Sequence, residues 1–296
     1  MEIQLEQRDT RSVEFFGGLG QQRLFDTRVV IIGVGGLGSA LAQHLALLGV
    51  MHITLADDEQ LDDTNRNRFI GATVDDPVPG SFKVDIAQRL VRSIDQRTEV
   101  ATLRHQLLSP EVFQAVRECD WVFGCFDEDG PRMILNELAV AYDKSYLDLA
   151  SDVPERGIFG GHVISVTREN GCLTCMDVLD QKDIRHFLAT DEALADEDRI
   201  YGIERSDLQD RGPSVSPMNG VVASLAASEF MVAATGLRPS VRHLEYRGHT
   251  PSVRVSSDVP RDDCPICASR GSGAAAEPER YLALDHVKAR RANKVA

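Results

Sequence analysis

Residues 28–49 read RVVIIGVGGLGSALAQHLALLG. Arg28 to Ile32 is a β-branched run that stops at a glycine cluster, and residues 37–48 then carry apolar positions at helical spacing up to Gly49. Met51 to Ala56 supplies the next strand, which ends at the acidic pair Asp57 and Asp58. The order strand, turn, helix, strand requires parallel pairing, because a helical crossover returns the chain to the same end of the sheet. Inside it, Gly33-Val34-Gly35-Gly36-Leu37-Gly38 satisfies G-x-G-x-x-G. Glycines there let a phosphate approach the backbone, and the helix N-terminus favours its charge. Asp57 follows Gly33 by 24 positions, where a carboxylate accepts bonds from ribose hydroxyls. The expectation is a bound nucleotide; the alternative is a turn that only packs a helix.

The alternation continues outward. After a polar loop from Glu59 to Phe82, Val84, Ala87, Val91 and Ile94 fall on one helical face, and Val100 to Leu103 reads as a strand. Ser109-Pro110-Glu111 is a helix start. Residues 121–126 and 145–149 read as strands, with a helix over 131–142 between them. About 150 residues of this kind argue for a doubly wound, Rossmann-like α/β sheet, mostly parallel. Beyond it, a strand through 160–167, a mobile or solvated acidic stretch from Asp177 to Arg199, a buried helix over 221–234 closed by Gly236, and antiparallel C-terminal strands near 241–247 and 252–256 are expected. Residues 1–268 form one domain in this reading, with an ATP-binding part to about 150 and a substrate-binding and zinc part from about 151. Residues 269–296 read as a linker and a short basic tail.

Composition narrows the class. With 43% hydrophobic and 26% charged residues the chain is an ordinary globular protein. Its 32 Lys plus Arg against 46 Asp plus Glu leave a net charge of −14, which disfavours nucleic acid and anionic lipid. No run of consecutive apolar residues reaches membrane length, and residues 1–27 do not read as a secretory signal, so no membrane association and a cytoplasmic location are expected.

An NAD-dependent oxidoreductase would use the same glycine turn and acid. Asn65, Arg68 and Lys83, which follow within one loop and a helix start, point instead to a triphosphate, whose oxygens need neutralising as pyrophosphate leaves. The alternative is that both cations are solvated surface charges. Asp127, just after the apolar strand, stands at the sheet edge where open α/β folds bind ligands, and a carboxylate there suits Mg²⁺. Arg132 and Asn136 follow on the next helix, able to line the same cleft or to cap it. Cys172-x-x-Cys175 and Cys264-x-x-Cys267 are two knuckles of a thiolate zinc site that would staple remote segments, with a redox pair as the rival reading. Cys119 and Cys125 read as core.

Taken together, GVGGLGS, LADDEQLDDTNRNR, the Lys of GSFKVD, the Asp of CFDED with Arg132 and Asn136, and the twin CxxC pairs resemble the ThiF/MoeB/HesA adenylyltransferases, the bacterial branch of the ubiquitin-activating superfamily. The resemblance runs from about Arg8 to Cys267. It implies adenylation of a C-terminal carboxylate by Mg-ATP, giving an acyl-AMP and pyrophosphate. It implies that Gly33, Gly35, Gly36 and Gly38 form the phosphate-approach loop, that Asp57 holds the ribose, that Asn65, Arg68 and Lys83 contact the triphosphate, and that Asp127 is linked to magnesium. Arg8-x-x-Arg11 is similar to the family's amino-terminal arginine pair, whose second member reaches a neighbouring subunit's ATP site, which implies a homodimer and gives Arg11 a catalytic role. The implied substrate is a small ubiquitin-like carrier protein ending in Gly-Gly; a peptide of a natural-product pathway is the alternative. No cysteine lies between Cys175 and Cys264, so an enzyme-bound thioester is not expected.

Overall fold

A computed structural model describes residues 5–190, 192–194, 213–257 and 259–289. The chain runs α1 (Thr10–Asp26), β1 (Arg28–Ile32), α2 (Gly36–Leu48), β2 (His52–Ala56), α3 (Lys83–Ile94), β3 (Glu99–Leu103), α4 (Pro110–Glu118) and β4 (Trp121–Gly124). It continues through α5 (Asp129–Ala141), β5 (Ser145–Glu155), β6 (Ile158–Val166), α6 (Leu173–Met176), α7 (Gln181–Leu188), α8 (Ser216–Thr235), β7 (His243–Arg247), β8 (Ser252–Val255) and α9 (Pro265–Ala268). The strands form one sheet in the order β3-β2-β1-β4-β5-β6-β7-β8. Pairing is parallel from β3 to β5 and antiparallel from β5 to β8.

β1 shows why this half is parallel. Val29 and Ile31 enter one core cluster with α2, α3 and α8, while Val30 and Ile32 enter a second with α4 and α5. A strand buried on both faces needs helices on both, which crossover connections provide. Strand order reverses between β1 and β4, and at that point the carboxyl ends of the strands open a crevice.

β5 runs beyond the expected 145–149 to Glu155, because its far half pairs antiparallel with β6, with a register shift between Asp152 and Glu155. α8 begins earlier than expected, at Ser216, and ends at Gly236 in the left-handed region (φ 81°). Among the described residues α8 is the one helix with the length and mean hydropathy (1.2) to cross a membrane; half of it is buried, against α1, α2, β5 and β6.

Two expectations are corrected. The segment after Cys267 is not an open linker over 269–289: Tyr281 and Val287 are buried in the second core cluster, and Glu279 accepts from Arg117 Nη1 at 2.9 Å and from the Tyr142 hydroxyl. Aromatic and carboxylate contacts override a composition rich in Gly and Ala. Residues 290–296 of the tail lie outside the described residues, as do 191 and 195–199 of the acidic stretch. The first part of that stretch is a docked helix rather than a mobile one: Ile184 of α7 is buried, and Phe187 lies so close over Gly130 that a Cβ there would sit 2.2 Å from Phe187 Cγ.

Candidate active site

The glycine turn ties the ends of β1, β2 and β4 together. Gly33 N–H donates to Ala56 O and Cys125 N–H to Ile32 O, both at 2.9 Å. Gly33 has φ +87°, and a Cβ there would lie 2.5 Å from Cys125 O, so a side chain is excluded both by backbone conformation and by space. A Cβ on Gly38 would lie 2.1 Å from Gly33 O, because α2 packs directly on the turn. At Gly35 no atom comes within 4 Å of that position, and this is the side on which a ligand can approach the α2 N-terminus.

Asp57, half-buried, accepts the Val34 N–H at 2.7 Å on Oδ2 and the Glu59 N–H at 2.8 Å on Oδ1. Burial pushes its carboxyl from 3.8 up to about 6, against the opposing pull of Lys83. Lys83, the first residue of α3, is buried and its Nζ donates to the Glu59 carboxylate. Asp57, Glu59 and Lys83 therefore form one connected polar chain beside the turn. Asn65 is buried at the end of a short helical turn, Asp63–Asn65, and its Oδ1 accepts the Asp62 N–H at 3.3 Å. Arg68 is half-buried, donates to Thr64 O at 2.7 Å, and lays its stem against Gly36, where a Cβ would be 3.3 Å from Arg68 Cγ.

The raised Asp57 carboxyl sets a pH dependence. A proton held up to about pH 6 in the folded chain and released near 3.8 in the unfolded one favours the folded state in acid, and that contribution is lost as pH rises through this window. Ribose hydroxyls need the ionised form. Adenosine affinity is expected to rise roughly tenfold between about pH 5 and 7 and then level, following the ionised fraction. Asp57→Asn should give a flat profile, as isothermal titration would show.

Asp127 is exposed, two residues past Cys125 at the carboxyl edge of β4. Arg132 and Asn136 do not face it. Arg132 is buried with Nε and Nη2 on Asp148 at 3.1 and 2.5 Å, a further contact to Asp129, and Nη2 at 2.8 Å from His162 Nε2. Tyr146 donates to the same carboxylate at 2.6 Å. Burial alone would raise Asp148, but Arg132 and His162 hold it well below the usual carboxylate range. Asp148→Asn leaves Arg132 buried without its counter-ion, and a loss of about 3–5 kcal/mol in denaturant-measured stability is expected. Asn136 is fully buried and accepts the Leu173 N–H at 2.9 Å, which fixes α5 to the first cysteine turn.

Cys172, Cys175, Cys264 and Cys267 converge, with all four sulfurs within 4.8 Å of one another. Cys172 stands 3.7 Å from Cys175 and from Cys264, and Cys175 stands 3.3 Å from Cys267. A tetrahedral zinc with bonds of ~2.3 Å spaces its sulfurs about 3.8 Å apart, so the set fits zinc. At Cys175 burial is outweighed by hydrogen bonding to Cys172, Cys267 and Cys264, which lowers its thiol. The remaining cysteines are core: burial pushes Cys119 up to about 12 and raises Cys125 as well.

Arg11 is elsewhere. Its side chain is 94% exposed on the first turn of α1, near Glu14 at 3.8 Å. One turn before it, Arg8 donates to Ile94 O at 2.7 Å and pairs with Asp95, just ahead of β3. This is the amino edge of the sheet, opposite the glycine turn.

Comparison with known proteins follows from this geometry. The ThiF family model matches residues 7–266. The chain belongs to the ThiF family. This ThiF-family chain is 28% identical over 262 residues to the sulfur carrier protein ThiS adenylyltransferase of Escherichia coli, covering 88% of this chain and 91% of that one. It is 26% identical over 252 residues to the E. coli molybdopterin-synthase adenylyltransferase, covering 84% and 90%. It is 32% identical over 259 residues to protein HesA of Nostoc sp., covering 86% and 90%. E. coli MccB, crystallised with MccA-N7isoASN, shares the fold with a TM-score of 0.71 at 18% identity, over 89% of this chain and 75% of that one.

Two residues that hold the site together in this ThiF-family chain were not singled out from sequence: Glu59 on Lys83 and Asp148 on Arg132. Asp148 carried a readable signal, a lone carboxylate inside the apolar run YLDLA, since a buried acid implies a partner.

Proposed function

We infer that this ATP-dependent adenylyltransferase activates the C-terminal carboxylate of a small ubiquitin-like carrier ending in Gly-Gly. The observation that carries the reading is the shared edge of the glycine turn, Asp57, Arg68, Lys83 and Asp127. The relatives named for ThiS and molybdopterin synthase support the choice of substrate.

In this reading the glycine turn and the α2 N-terminus hold phosphate oxygens, and Asp57 exchanges its backbone partners for the ribose hydroxyls. A carboxylate oxygen of the carrier attacks the α-phosphorus, the bond from that phosphorus to the bridging oxygen breaks, and pyrophosphate leaves with the electron pair. Lys83, Arg68 and Asn65 offset the charge that develops on the leaving oxygens. Asp127 would hold Mg²⁺, which when bound neutralises phosphate oxygens. The product stays an acyl adenylate: of the six cysteines, two are buried with raised thiols and four form the metal cluster, so no thiol is positioned to take the acyl group. Reduced thiolates in that cluster suit a cytoplasmic setting.

The exposed Arg11, at the edge opposite its own glycine turn, is assigned to the ATP site of a second copy in a homodimer. Mixing two inactive variants, Arg11→Ala and Asp127→Ala, should then restore part of the activity, because a mixed dimer holds one intact site. Absence of any recovery, with subunit exchange shown by light scattering and labelling, overturns that assignment.

The deciding experiment for the function is ATP–pyrophosphate exchange with zinc-loaded protein and a panel of carriers ending in Gly-Gly. Exchange that requires a carrier and is lost when its terminal Gly-Gly is removed is expected. Exchange with a short peptide and with no carrier would replace the carrier by a peptide substrate.

A further inference from the structure

Under α8 the sheet carries a polar pair that the nucleotide-binding edge does not use. Phe123 of β4, Leu147 of β5 and Ser165 of β6 form one row across the sheet, and the Ser165 N–H donates to Arg242 O at 2.8 Å, which puts Arg242 at the end of that row. Phe123 and Leu147 belong to the apolar core beneath α8. Ser165 is fully buried and its Oγ has no hydrogen-bond partner; Arg242 is 8% exposed, and none of its three guanidinium nitrogens has one among the described residues. A guanidinium cannot shed its charge, so burying it without an acceptor is strongly unfavourable. The buried carboxylate on α8 is already engaged: Glu229 accepts both Arg238 Nη atoms, at 2.9 and 2.7 Å, and the Val241 N–H at 2.8 Å.

One strand step toward the amino edge, the next row is Trp121, Ser145, Thr167 and Ser240, and these four line a cavity of about 320 Å³ bounded by Ala233 of α8. Two residues along a strand span about 7 Å, within reach of an arginine side chain. Lys144, Arg168 and Arg270 also line this cavity, against Asp143 and Glu169, and Asp143 is bound by both arginines. With Arg242 behind it, the region is cationic on a chain of net charge −14.

We propose that this cavity is a binding site for a small tetrahedral oxyanion, of which inorganic phosphate is the type, held at its inner end by Arg242 and Ser165 and at its mouth by Lys144. The planar guanidinium donates in pairs to such an anion, and the Ser165 hydroxyl supplies a further donor. The site lies at the opposite edge of the sheet from the glycine turn, and it stands whether or not the substrate assigned above is right.

Trp121 is the only tryptophan of the chain and lines the cavity, so its emission reports occupancy. Inorganic phosphate is titrated into the full zinc-loaded chain at constant ionic strength, with saturating AMP covering the nucleotide edge. A saturable change in Trp121 emission is expected, at least tenfold weaker in affinity for Arg242→Gln and for Ser165→Ala. No saturable change, an equal response to chloride, or an unaltered titration in a folded Arg242→Gln overturns the proposal. Where Arg242→Gln fails to fold, Ser165→Ala and Lys144→Ala decide it: unchanged affinity in both overturns it.

Discussion

Asp127→Ala should yield a folded, zinc-binding chain whose carrier-dependent ATP–pyrophosphate exchange has fallen by at least about 10²-fold, the usual loss when one group that stabilises transition-state charge is removed. Substitution at this position isolates chemistry from stability. Asp127 is exposed past the end of β4, and surface changes away from packed features usually stay within about 0.5 kcal/mol. Its neighbours behave otherwise. Lys83 is buried on Glu59, and Arg132 is buried on Asp148, so truncating either leaves a carboxylate without its cation and confounds activity with folding. Adenosine binding to Asp127→Ala should be close to the parent value, because Asp57 and the glycine turn are untouched. Exchange at the parent rate, in a preparation with matched circular dichroism and zinc content, would remove Asp127 from the metal-linked role.

What could be read in the sequence follows from where backbone geometry restricts residue choice. The turn at Gly33 admits no side chain, and so the β1–α2 unit was legible residue by residue. β1 to β4 and the antiparallel end were legible because strands covered on both faces are continuous apolar runs. α1 was not, since Gly17, Gly18 and Gly20 dilute its helical pattern and Gly17 breaks it with φ 79°. That helix is held by tertiary contacts: Gly20 lies against Phe16 and Thr235, and Arg23 donates to Thr235 O at 2.8 Å. The same holds for Arg132 and Asn136. Their spacing placed both on one side of a helix, but only the fold reveals that this side turns inward, to Asp148 and to Leu173. The C-terminal segment reads as a linker until the partners of Glu279 and Tyr281, far away in sequence, are in place.

Removing the metal from the cysteine cluster is expected to cost more stability than any single side-chain change in the chain. Cys172 meets Cys264, and Cys175 meets Cys267, each across 92 positions. A crosslink closing a loop of that length restricts the unfolded chain by on the order of 4–5 kcal/mol, and thiolate–zinc bonding adds to it. For a domain of this size that corresponds to a fall in Tm of roughly 10–20 °C. Release of one zinc per chain on treatment with a thiol-reactive mercurial, read with a metallochromic dye, should accompany the fall, and Cys264→Ser with Cys267→Ser should reproduce it without the reagent. The effect should also reach the adenylation edge. Leu173, between the first two ligands, donates its N–H to Asn136 of α5, and the first turn of that helix follows Asp127 and carries Asp129 against α7. Losing the cluster frees that anchor, so exchange activity should drop together with zinc content and return on reconstitution. A double variant that keeps the parent Tm and rate would mean that the four sulfurs converge without a metal and that α5 is held by its own packing.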